Sequence, residues 1–82
     1  MHYIVQAKPL EGYRIWICFA DGLEGEIDLS DLVGKGVFAA WIDPAEFKKV
    51  HIDSETHTVA WPGGIDLAPD ALYHDLTAHR AA

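Results

Sequence analysis

Residues 13–29, Tyr13-Arg14-Ile15-Trp16-Ile17-Cys18-Phe19-Ala20-Asp21-Gly22-Leu23-Glu24-Gly25-Glu26-Ile27-Asp28-Leu29, decide the fold. Tyr13, Ile15, Ile17 and Phe19 alternate with Arg14, Trp16 and Cys18. Leu23, Ile27 and Leu29 alternate with Glu24, Glu26 and Asp28. A period of two marks strands with one buried face. Ala20-Asp21-Gly22 between them is turn chemistry, so the stretch reads as a β-hairpin. Two registers compete. A two-residue Asp-Gly turn pairs Ala20 with Leu23 and Ile17 with Glu26, which sets three carboxylates among the apolar side chains. A three-residue loop pairs Phe19 with Leu23, Ile15 with Ile27 and Tyr13 with Leu29, with Gly22 in the left-handed position at a bulge. One face is then wholly apolar, and Arg14 lies opposite Asp28 on the other. Register follows the buried face, so the three-residue loop is expected.

Upstream, residues 2–8 read as a first strand, stopped by Pro9, which cannot donate to a ladder. Residues 10–12 form a turn. Downstream, Ser30 is expected to N-cap a short helical turn through Asp31, Leu32 and Val33, ended by Gly34. Val37 to Ile42 is apolar throughout and reads as a helical turn pressed on the core. Asp43 caps a further helix with Pro44 at its first position, Glu46 in its first turn and Phe47 as its anchor. Val50 to Asp53 and His57 to Trp61 form a second hairpin around Ser54-Glu55-Thr56, ended by Pro62-Gly63-Gly64. Ala68-Pro69 opens the last helix. Asp70 lies in its first turn, Leu72, Tyr73 and Leu76 form its apolar stripe, and His79 and Arg80 sit near its C-terminus. The terminal residues are expected to fray. The fold class is therefore α+β: a small antiparallel sheet from two β-hairpins plus an N-terminal strand, with short helical turns and a C-terminal helix, as a single domain over 1–82.

Composition narrows the function. The chain has 82 residues, half of them hydrophobic, with three each of Trp, Tyr and Phe. That suits one compact core and excludes a disordered tail. Lys and Arg number 6 against 13 Asp and Glu, a net charge of −7. Direct nucleic-acid binding is not expected, because such binders present a basic patch and the only adjacent basic pair here is Lys48-Lys49. The acidity suits a basic protein partner, or simply solubility. Cys18 is the single cysteine, so no internal disulfide forms and a reducing, cytoplasmic location is expected. No secretory signal is read at the N-terminus. The longest apolar runs fall far short of the ~20 residues of a membrane helix.

Candidate chemistry is sparse. His74 and His79 are five apart, about 140° around a helix, and cannot easily share a metal. His51 and His57 lie on the two arms of one hairpin and, with Asp53, form a weak candidate metal or minor enzymatic site. No metal, cofactor or catalytic residue is expected. Cys18 lacks the neighbouring base and electropositive setting of a nucleophile. Gly34-Lys35-Gly36 lacks the spacing of a phosphate loop. Trp16, however, lies among Glu24, Glu26 and Asp28 on the outward face. Tryptophan is enriched in interface hot spots, and these four residues form the candidate partner face. Trp41 is either core or contact.

The residues also resemble a family. Phe19-Ala20-Asp21-Gly22, Ile27-Asp28-Leu29, Gly36 with Phe38, Phe47, and above all Trp61-Pro62-Gly63-Gly64-Ile65-Asp66-Leu67-Ala68-Pro69-Asp70 followed by Leu72-Tyr73 are similar to the bacterial domain-of-unknown-function (DUF) 2442 family, from about Val5 to Tyr73. The resemblance implies a small α+β fold and no known activity or cofactor. Asp66, Pro69 and Tyr73 match its motif, read as a buried turn, a helix start and an anchor on the sheet. It also implies membership of two-gene cassettes beside a short, toxin-like protein, and in some relatives an added helix-turn-helix domain that is not expected here. The leading expectation is a non-catalytic protein-interaction module, antitoxin-like, whose partner is a small basic protein encoded nearby. The alternative is a ligand-sensing regulatory domain lacking its DNA-binding part. Homo-oligomerisation through an open strand edge is a further expectation.

Overall fold

The computed structural model describes the backbone of residues 2–80 and the side chains of residues 2–78. Six strands divide over two three-stranded antiparallel sheets rather than sharing one. The first sheet contains β1 (Ile4–Leu10), β2 (Arg14–Phe19) and β3 (Glu24–Asp28), in that order. The second contains β4 (His51–Ile52), β5 (Val59–Trp61) and β6 (Ile65–Asp66). Two 3₁₀ turns, Ser30–Leu32 and Gly36–Ile42, and a short helix α1 (Pro44–Phe47) connect them. Helix α2 (Pro69–Arg80) follows.

The three-residue register forms as expected. Arg14 pairs with Asp28, Ile15 with Ile27 and Cys18 with Glu24. The Phe19 N–H donates to the Leu23 carbonyl at 2.7 Å, and Leu29 N–H to Tyr13 at 2.8 Å. Gly22 takes φ +94°, a conformation that side chains with a Cβ resist. Ile15, Ile17, Phe19, Ile27 and Leu29 are all buried on one face.

Several local expectations change. Pro9 does not stop β1; it pairs with Ile15 inside the strand. β1 is an edge strand, where a missing N–H costs no ladder bond. Asp28, not Ser30, caps the turn after β3. Its carboxylate accepts the Ser30 N–H at 2.9 Å, and the Ser30–Leu32 turn has no side-chain cap bond of its own. The apolar run over Val37 to Ile42 buries only Trp41 and half-buries Phe38, while Val37 and Ile42 stand 66% and 65% exposed. A 3₁₀ turn has three residues per turn, so only side chains three apart share the core side. Pro62-Gly63-Gly64 ends the second hairpin as expected and also turns the chain into a further strand, β6, with Trp61 opposite Ile65. Asp66 is exposed, so the motif turn is not buried there. Asp43 caps α1 as expected, accepting the Ala45 N–H at 3.0 Å.

The core lies between the apolar face of the first sheet, the second sheet and α2. Trp41 meets Trp61 at 4.6 Å between ring centroids and Phe47 at 5.0 Å, edge-on. The Trp61 indole donates to the Phe47 carbonyl at 2.7 Å, fixing α1 to β5. Both sheets also meet through the Ile4 N–H, which donates to the His57 carbonyl at 2.8 Å. On α2, Leu72 and Leu76 are buried and Tyr73 is half-buried, as the helical stripe requires. The side chains of His79 and Arg80, and the expected fraying of 81 and 82, lie outside the described residues. No described helix is long and apolar enough to cross a membrane.

One close approach fixes α2 against β3. A Cβ added at Gly25 would lie 2.8 Å from Leu76 Cδ2. Gly25→Ala should therefore destabilise the fold by about 1–3 kcal/mol, the usual cost of overpacking. Urea denaturation checks this, and Leu76→Ala combined with Gly25→Ala should cost less than the two separate losses added together.

Candidate functional site

The outer face of the first sheet is built by alternation. β2 is the central strand, so every outward side chain on it has a neighbour on each side. Lys8, Trp16 and Glu26 form one row across the sheet. Gln6, Cys18 and Glu24 form a second, and Leu10, Arg14 and Asp28 a third. The structure thus brings Trp16, Glu24, Glu26 and Asp28 onto one face, with Trp16 at its centre. Trp16 is half-buried by its row neighbours; Glu24, Glu26 and Asp28 are exposed. Among the described elements α2, α1 and the second sheet all pack on the opposite face. Trp41, by contrast, is core, with no exposed surface.

Five residues of the face, Lys8, Arg14, Trp16, Glu26 and Asp28, make specific local contacts. Lys8 Nζ sits 5.4 Å from the Trp16 ring centroid, a cation–π contact across the strand pair. Arg14 lies opposite Asp28 in register but reaches diagonally, and its Nη1 meets Glu26 Oε1 at 2.6 Å. Its Nε donates to the Glu11 carbonyl at 3.0 Å, which fixes the guanidinium over the β1–β2 turn. Both partners of the ion pair are about half exposed, so solvent screens it and it adds little stability. Asp28 is turned toward Ser30. Hydrogen bonds from Ser30, its side chain first and its N–H second, hold that carboxyl below the usual carboxylate range.

The other titratable groups serve the turns. Asp53 Oδ1 accepts the Glu55 N–H at 2.8 Å and the Thr56 N–H at 3.3 Å, and these bonds lower its pKa. The members of the candidate set of His51, Asp53 and His57 are engaged in other contacts: His51 Nδ1 lies 3.2 Å from the Lys49 carbonyl, and the His57 ring meets Tyr3 at 4.4 Å. Among the described residues no three His, Cys, Asp or Glu side chains are grouped to hold a metal ion.

Two features escape a sequence reading. The Tyr73 hydroxyl donates to Asp21 Oδ2 at 2.7 Å, and the His2 ring stacks on Tyr73 at 3.6 Å. The motif tyrosine is thus an anchor on the sheet, and what it grips is the β2–β3 turn. Asp21 is lowered by this bond first and by the Leu23 N–H second; the same bond raises Tyr73. The second feature is a groove of ≈ 500 Å³ where the start of β1, the 53–58 turn and the start of α2 converge. His2, Tyr3, Glu55, His57 and Asp70 are among its lining residues. The one local signal for either feature is Asp-Gly in the first turn; the rest depends on pairs far apart in sequence.

Asp21, Asp28 and Asp53 all have folded-state pKa values below their ordinary 3.8. Lowered values mean that the unfolded chain binds protons more readily, so the stabilisation is full above 3.8 and is lost as pH falls through the folded values. Thermal melts should show stability falling as pH drops below about 4. In Asp53→Asn, which removes one of these carboxylates, the fall should be shallower.

A family model described as protein of unknown function (DUF2442) matches residues 4–78. No curated protein and no solved structure matches the chain significantly.

Proposed function

The chain belongs to the DUF2442 family, and on that footing we propose that it is a non-catalytic protein-interaction module whose contact surface is the outer face of the first sheet. The observation that carries this reading is an uncovered, three-stranded face with a half-buried tryptophan at its centre. The elements of the core pack against the other side of the same sheet, so the outer side is available to a partner. Tryptophan supplies a large, rigid contact area, and the charged groups around it form a rim that orients the partner.

The partner's chemistry follows from charge. The chain carries −7 overall, and β3 presents Glu24, Glu26 and Asp28 in a line along one edge. A small basic protein, encoded nearby and acting in the cytoplasm, fits that surface, and an antitoxin-like role is the concrete form of this reading. Long-range attraction between opposite charges speeds encounter and weakens as salt rises.

The test is co-purification with the product of the neighbouring gene, followed by titration calorimetry. A stable complex is expected. Trp16→Ala should weaken it by about 2 kcal/mol or more, the range of an interface hot spot. Glu24→Lys with Glu26→Lys should slow association and reduce its salt dependence. Failure to co-purify, or a Trp16→Ala variant that binds as the parent does, overturns the assignment.

A further inference from the structure

We propose that the groove between the start of β1, the 53–58 turn and the start of α2 is a receptor for a guanidinium group. The groove shares no residue with the Trp16 face. At ≈ 500 Å³ the groove is within the size range of small-ligand sites. One wall is aromatic: Tyr3 is 42% exposed, and its ring lies 4.4 Å from that of His57, tilted by 32°. Two carboxylates line the same space, Glu55 from the turn and Asp70 from the first turn of α2. Neither side chain makes a hydrogen bond or ion pair with another described residue, in contrast to Asp21, Asp28 and Asp53, whose carboxylates are committed to turns. Among the described residues, no lysine or arginine lines the groove.

That combination selects the ligand class. A guanidinium is planar, stacks on aromatic faces and pairs with carboxylates through two parallel N–H donors. An ammonium matches the charge but not the planar stack. An anion would face two uncommitted carboxylates, and the partial positive charge at the start of α2 is already offset by Asp70. His2 does not compete for the ligand, because its ring is stacked on Tyr73 at 3.6 Å. The wall is held in place by the backbone: His57 is fixed at φ +57°, its N–H donates to the Asp53 carbonyl at 2.8 Å, and its carbonyl accepts the Ile4 N–H at 2.8 Å. Tyr3 and His57 therefore face each other through the junction of the two sheets.

The guanidinium can come from free arginine or from an arginine side chain of a protein. NMR titration of the full chain with guanidinium chloride, free arginine, N-acetyl-arginine amide, N-acetyl-lysine amide and inorganic phosphate tests the site and separates the sources. Saturable shifts are expected at Tyr3, Thr56, His57 and Asp70 with the three guanidinium compounds, and weaker ones with the lysine derivative. Tighter binding of free arginine than of the blocked derivative identifies a free amino acid as the source; equal or weaker binding identifies a protein side chain. Glu55→Gln should weaken binding by about tenfold through loss of a charge-assisted pair, and because the Glu55 carboxylate supports no other contact the fold should be kept. Diffuse non-saturating shifts, equal response to lysine and arginine, or saturable binding of phosphate instead would each overturn the proposal. Trp16→Ala should leave this titration unchanged, so the groove and the outer face fail or survive separately.

Discussion

The register of the β2–β3 hairpin is the constraint on which the rest of the molecule depends. It is held at the turn, where Gly22 accepts a positive φ and the Phe19 N–H reaches the Leu23 carbonyl. A slip of one residue would turn one strand's whole set of side chains to the opposite face. Ile15, Ile17 and Phe19 would then share a face with Glu24, Glu26 and Asp28, and the core would hold charges without partners. The cost of burying such charges makes the observed register the one compatible with a packed interior. The outer face follows from the same choice, since Trp16 and the three carboxylates are what remains once the apolar set is buried.

The second sheet and α2 are attached to this frame by a few specific contacts. Trp41, Phe47 and Trp61 fill the space beside the first sheet, and the indole of Trp61 ties α1 to β5. Leu76 packs where β3 lacks a side chain at Gly25, and Tyr73 grips Asp21 from the same helix. These links set where α2 begins, and so where Asp70 stands relative to Glu55 across the groove. Groove and core are thus positioned by the same helix.

The parts legible in the sequence were those encoded locally. Two adjacent alternations with Asp21-Gly22 between them define a hairpin and its buried face, and Asp43-Pro44 defines a helix start. Leu72, Tyr73 and Leu76 are spaced for one helical stripe. What was not legible depends on neighbours. Pro9 reads as a stop unless its strand is known to be an edge. Val37 and Ile42 read as core because their run is apolar, whereas the 3₁₀ geometry turns them outward. Ser30 reads as its own cap, but the carboxylate two residues earlier reaches its N–H first. The outer face was visible as residues 16, 24, 26 and 28 on one side of a hairpin. The diagonal reach of Arg14 to Glu26, and the groove assembled from three distant segments, were not.

The three tryptophans occupy different optical environments. Trp41 and Trp61 are 0% and 2% exposed, in a shared aromatic cluster. Trp16 is half-buried beneath the Lys8 ammonium on the far side of the sheet. A collisional quencher in water therefore reaches one indole and leaves two dark to it. The accessible part of the intrinsic fluorescence reports on the outer face, and the protected part reports on whether the core is intact, so the molecule carries a label for each without any chemical modification.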